Sequence, residues 1–142
     1  MLLAITQKRP KSLDDFDWSF NPRVPKQLVL DLATLRFIGE RGGALILGPA
    51  GPGKSHICVS IGVRAVEAGY TVLSRSALDL AEDLSEAAAT GTRKEMISRL
   101  SGVDLLILED LGLRTLPPTA AEDLLEIFSR GYETSASILT SN

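Results

Sequence analysis

Eight consecutive residues carry the clearest chemistry in this sequence. Gly48, Pro49, Ala50, Gly51, Pro52, Gly53, Lys54 and Ser55 fill the pattern G-x-x-x-x-G-K-[ST] at every fixed position. Glycines at 48, 51 and 53 have no Cβ, so the backbone can take φ > 0 there and bring its N–H groups close to an oxygen-rich ligand. Lys54 offers an ammonium to the β and γ phosphates of a nucleoside triphosphate, and the Ser55 hydroxyl stands where it can ligand Mg²⁺. His56 follows directly and is grouped with the loop as a nucleotide contact. Just inside a helix, its simplest role is that of a neutral packing or hydrogen-bonding imidazole rather than a catalyst.

A second constellation lies about 55 residues downstream. Leu105-Leu106-Ile107-Leu108 reads as a buried strand with Glu109 and Asp110 at its carboxyl end, where ligands of open α/β sheets gather. Glu109 is the expected magnesium-supporting carboxylate, and Asp110 the candidate base that orients or deprotonates an attacking water. Such acids also occur as solvated turn residues; the phosphate loop upstream favours the metal reading. Asn142, after the apolar run 137–140, fits a polar residue that positions that water against the γ-phosphate.

The elements needed to position these groups are legible around them. The run 44–47 before the loop is expected to be a strand buried on both faces, and Ile57, Ile61, Ala65 and Ala68 mark one face of a helix stopping at Gly69. A loop between strand and helix puts unpaired N–H groups and the positive end of the helix dipole on an anion. Before it, Leu28, Leu32, Leu35 and Ile38 predict a single helix over 26–40, ended by Gly42-Gly43. After it come a strand at 70–73 and helices over 77–88 and 93–100. Pro117-Pro118 breaks the chain, Thr119 is a candidate cap for a helix running to 132, and a last strand covers 137–140. Residues 1–27 read as an extended arm in which Leu13, Phe16, Trp18 and Phe20 staple the chain onto the domain or border a nucleobase.

Composition narrows the setting. A net charge of −3 over 142 residues shows no global nucleic-acid signature, so any such surface must be local. Arg93, Lys94 and Arg99 form the candidate patch, with an ordinary solvated face as its alternative. The single Cys58 excludes an internal disulfide and is most simply a small core residue. With His56 the sole histidine, no zinc cluster is available. Cytoplasmic residence is the default expectation. The apolar start 1–5 is too short for a signal peptide, and no run approaches the ~18 residues of a membrane span.

Leu13-Asp14-Asp15-Phe16-Asp17, the stretch from Gly48 to His56, Ala68-Gly69-Tyr70, the stretch from Asp104 to Gly112, Tyr132-Glu133 and the closing Ile138 to Asn142 occur in an order that resembles the IstB-like family. These are AAA+ ATP-binding helpers of insertion-sequence transposition, related to the DnaC-type helicase loader. The resemblance implies an α/β fold: a P-loop NTPase of AAA+ type with a doubly wound parallel sheet in three α/β/α layers. It makes residues 28–142 a partial ATP-binding domain behind the arm at 1–27. It also implies ATP with Mg²⁺, assembly into homo-oligomers on DNA without sequence preference, and delivery of target DNA to a transposase. The alternatives are a DnaC-like replicative helicase loader and a non-hydrolysing remnant of either. Glu109-Asp110 departs from the usual Asp-first pair, and Gly131 stands where Arg commonly precedes the Tyr. The family continues past position 142 with a strand, an arginine finger and a helical lid, so ATPase activity is expected to be impaired in this chain. Without that strand 44–47 becomes a sheet edge prone to pairing with other chains. Irregular oligomers in sedimentation are the expected result, and a monodisperse monomer contradicts it.

Overall fold

The computed structural model describes residues 25–48, 52–112 and 116–141. Along the chain these form α1 (Lys26–Ala33), α2 (Arg36–Gly39), β1 (Gly43–Leu47), α3 (Pro52–Glu67), β2 (Val72–Ser76), α4 (Ala77–Thr90), α5 (Arg93–Ser101), β3 (Leu105–Leu111), α6 (Pro118–Gly131) and β4 (Ala136–Ser141). The aromatic residues Phe16, Trp18 and Phe20, Leu13, the loop residues Pro49, Ala50 and Gly51, and Asn142 lie outside the described residues.

A short run of four large apolar side chains suits a strand covered on both faces, and 105–108 occupy that position. All four are at most 3% exposed. The sheet is parallel throughout with the order β1-β4-β3-β2. Strand alternation sorts its side chains into two cores. Leu105, Ile107, Val72, Ala136 and Ile138 pack with Ile57, Cys58, Ile61 and Ala65 of α3 and with α1 and α2. Leu106, Leu108, Leu73 and Leu139 pack on the other face against α4, α5 and α6. The expected three-layer α/β/α arrangement is therefore present.

Several local expectations are corrected. The helix over 26–40 is two helices, because the Thr34 hydroxyl donates back to the Asp31 carbonyl at 2.6 Å and Leu35 adopts φ +65°. That turn swings Ile38 into the core, while Val29 and Ala33, not the 63%-exposed Leu28, form the buried stripe of α1. β2 runs over 72–76 rather than 70–73, since Thr71 is taken by Asp104, whose carboxylate accepts from both the Thr71 N–H and its hydroxyl. Ser76 then ends β2 and caps α4 by accepting from the Asp79 N–H at 3.1 Å. Thr119 is not a cap: α6 starts at Pro118 with Pro117 in the cap position, where proline's fixed φ and missing N–H fit the first turn. Ala68 is exposed beyond the end of α3.

β1 lies at the sheet edge beside β4, as expected, but it is not buried on both faces. Ala44 and Ile46 pack toward α3, whereas Leu45 and Leu47 on the opposite face are 59% and 65% exposed. No helix among the described residues is long and apolar enough to cross a membrane.

Candidate functional site

The described residues that flank the phosphate loop, Gly48 and Lys54, meet at the carboxyl end of β1. Gly48 follows β1 directly, and its N–H donates to the Ser141 carbonyl at 3.2 Å, which continues the β1–β4 ladder by one residue. Lys54, in the first turn of α3, sends its Nζ back to donate to the Gly48 carbonyl at 2.7 Å. The ammonium is thereby held beside the carboxyl end of β1. Ser55 and His56 are half-buried in the same turn. The φ > 0 expected of the glycines is absent at Gly48 and Gly53, and Gly51 lies outside the described residues. Gly53 is helical, and its use lies in space: a Cβ there would meet nothing within 4 Å. A helix N-terminus attracts an anion through its first-turn N–H groups and its dipole.

Glu109 and Asp110 sit at the end of β3, and the strand does not continue regularly through them. β3 pairs Leu108 with Leu139 and then Leu111 with Ser141, so three steps on β3 match two on β4. The extra residue is a bulge, and Asp110 there takes φ +61°. Its N–H donates to the Thr140 hydroxyl at 3.0 Å, while the Ser141 hydroxyl donates to the Leu111 carbonyl at 2.6 Å. A consequence is visible in Leu111: regular alternation would send it with Leu105 and Ile107 toward α3, yet it packs in the α4–α6 core. Gly112, at φ +78°, completes the turn, and a Cβ on it would come within 3.3 Å of the Ser141 hydroxyl.

The acids lie toward α3, the helix that carries Lys54 and Ser55. Cys58, one turn beyond that lysine, is fully buried, and its thiol is pushed far above the ordinary cysteine range, chiefly by burial and then by the charges of Glu109 and Asp110. Glu109 is half-buried with its Oε1 shielded from solvent, and Asp110 is exposed. One hydroxyl, one shielded carboxylate and one open carboxylate make an oxygen donor set suited to Mg²⁺, which takes few protein ligands and completes its shell with phosphate and water.

The candidate basic patch is reduced. Arg93 turns inward: its Nε donates to Asp123 at 2.9 Å and its Nη2 reaches both Asp123 and Glu126, with Arg130 on the other oxygen of Glu126. It joins α5 to α6, and its charge is paired with two carboxylates rather than left open as in an unpaired basic patch. Lys94 and Arg99 remain exposed on α5. Thr140 and Ser141, whose hydroxyls bond to the turn that carries the acid pair, were passed over by sequence reasoning. They stand immediately before Asn142, and two hydroxyls at a strand end facing the acid pair were the available signal.

Comparison with known proteins agrees with this geometry. A protein of insertion sequence IS5376 from Geobacillus stearothermophilus, named for ATP binding, is 35% identical over 132 residues, which are 93% of this chain and 53% of that protein. The corresponding protein of insertion sequence IS21 from Pseudomonas aeruginosa is 33% identical over 93% of this chain and 50% of its own length. The chain thus spans about half the length of the relatives it matches. In three dimensions it is similar to the replication initiator DnaA bound to AMPPCP and single-stranded DNA, with a TM-score of 0.80 and 25% identity over 92% of this chain and 41% of that one. The DnaC helicase loader shares the fold at TM-score 0.71 and 20% identity, over 92% of this chain and 76% of that one. A family model matches residues 2–142, essentially the whole sequence, and the chain accordingly belongs to the family described as IstB-like ATP binding protein.

Proposed function

We propose that this chain binds ATP with Mg²⁺ and serves as an ATP-dependent helper of DNA transposition, acting on DNA together with a transposase in the cytoplasm. The observation that carries the reading is the continuity of the site. Lys54 is tied to Gly48, Gly48 to Ser141, and Ser141 to the bulge that presents Glu109 and Asp110. Gly48, Pro49, Ala50, Gly51, Pro52 and Gly53 would wrap the phosphates, with Ala50, Gly51 and Gly53 offering backbone N–H groups, Lys54 would meet the β and γ phosphates, and His56 would border them. Ser55 and Glu109 would hold Mg²⁺, whose role is to bridge phosphate oxygens and offset their charge. Asp110 is left exposed beside them as the base or orienting group for water, with Asn142 at the γ-phosphate. The names of the relatives, ATP-binding proteins of insertion sequences, support the setting in transposition. Lys94 and Arg99 are the residues through which α5 would contact DNA phosphates, and assembly into homo-oligomers would multiply so small a patch.

The test is binding of a non-hydrolysable ATP analogue by this chain, with and without duplex DNA. Micromolar binding that requires Lys54 and strengthens with DNA supports the reading. Absence of binding at millimolar analogue refutes it. Turnover of ATP by the chain would in addition exclude a non-hydrolysing remnant.

A further inference from the structure

The bulge at the end of β3 is a conformation the backbone does not adopt unaided. An aspartate at φ +61° lies in the left-handed region, where Cβ approaches the carbonyl oxygen, so the conformation costs energy that neighbouring hydrogen bonds offset. Two consecutive hydroxyls of β4 do so. Thr140, 1% exposed, accepts from the Asp110 N–H, a donor that the bulge has withdrawn from the regular ladder. Ser141 donates to the Leu111 carbonyl on the other side of the same turn, while its own carbonyl accepts from Gly48 at the root of the phosphate loop. Without the clamp, β3 would pair regularly to its end, and alternation would send Glu109 and Asp110 to opposite faces of the sheet.

We propose that Thr140 is a positioning residue for the acid pair: its hydroxyl holds Asp110 in the left-handed turn, and with Ser141 it couples the metal-facing carboxylates to the phosphate loop through β4. The proposal rests on the nucleotide reading above for the role of the acids, and on the described geometry alone for the clamp. The Thr140 hydroxyl meets the backbone N–H of Asp110 rather than its carboxylate. It acts through the backbone of Asp110.

Thr140→Val keeps the shape of the buried side chain and removes the acceptor, whereas Thr140→Ser keeps the acceptor. Two readouts are taken on the full chain: amide hydrogen exchange at Asp110, and the ratio of ATP-analogue affinities with and without Mg²⁺. In Thr140→Val, exchange at Asp110 should rise roughly five- to tenfold, the change expected from loss of one neutral hydrogen bond. Amides of Leu106, Leu108 and Ile138 should stay protected. The magnesium-dependent gain in affinity should fall by a similar factor, with the magnesium-free affinity unchanged, and Thr140→Ser should restore both. Ser141→Ala, which spares the buried threonine, should weaken the same magnesium effect. Unchanged exchange at Asp110 in Thr140→Val overturns the clamp. Faster exchange with an unaltered magnesium effect overturns the positioning role. A parent chain that binds no analogue at all refutes the nucleotide reading instead, and the exchange comparison still decides whether the clamp exists.

Discussion

Replacing Lys54 by alanine tests the centre of the site, and the structure allows its effect to be sized. The ammonium now donates to the Gly48 carbonyl at 2.7 Å, so it is already held at the loop and little conformational freedom remains to be lost on binding. A phosphate charge about 4 Å from it gains about 4 kcal/mol at an effective dielectric of 20. Turning toward phosphate weakens its bond to Gly48, and a hydrogen bond from a charged group contributes about 1.5–3 kcal/mol. The net loss in Lys54→Ala is therefore about 1–2.5 kcal/mol, roughly a 5- to 70-fold weaker triphosphate. Fluorescence titration with a labelled ATP analogue measures it, with AMP as the internal comparison. AMP has no β or γ phosphate, so its affinity should stay within about twofold by the same reasoning. Equal loss for AMP and ATP would show that the substitution damages the fold, and an unchanged ATP affinity would show that Lys54 does not meet the phosphates.

Ile107→Ala removes three buried carbons between α3 and the sheet; at 0% exposure the cost should be about 3 kcal/mol and the melting temperature should drop by roughly 10 °C, read by circular dichroism. Glu126 is held below the usual carboxylate range first by its hydrogen bond to Arg93, then by the charges of Arg93 and Arg130. A carboxyl whose folded value is depressed stabilises the fold above its ordinary value of about 4.3 and loses that contribution as pH falls through the lower folded value. Denaturant midpoints should consequently decline below about pH 4 and decline less in Glu126→Gln; identical pH profiles would show that the ion-pair network is not formed in solution. Lys94→Ala and Arg99→Ala should each reduce the slope of log affinity for DNA against log salt by about 1. Arg93→Ala should leave that slope alone and lower stability instead, and a slope change in Arg93→Ala would return that residue to the DNA surface.

The sequence by itself determined the parts of this protein whose information is local. Glycine and lysine spacing at 48–55 identifies a phosphate loop, because each residue there acts through its own backbone or charge. The apolar run 105–108 identifies a central strand, because so short a run closed by two acids suits a strand covered on both faces. The order of motifs identified the family. What depended on distant partners was decided only by the tertiary structure. Leu45 and Leu47 look as apolar as Leu106 and Leu108, yet they lie exposed, since the position of β1 at the edge beside β4 is a property of strand order. Arg93 looks like part of a basic patch until Asp123 and Glu126, some thirty residues away, come within its reach. The break at Leu35 and the left-handed Asp110 arise in the same way: hydroxyls of Thr34 and Thr140 take up backbone groups that a regular helix or ladder would have used. Periodicity reports which face of an element is apolar. It carries no record of what folds back to cover that face, or of which side chain pulls the backbone out of register.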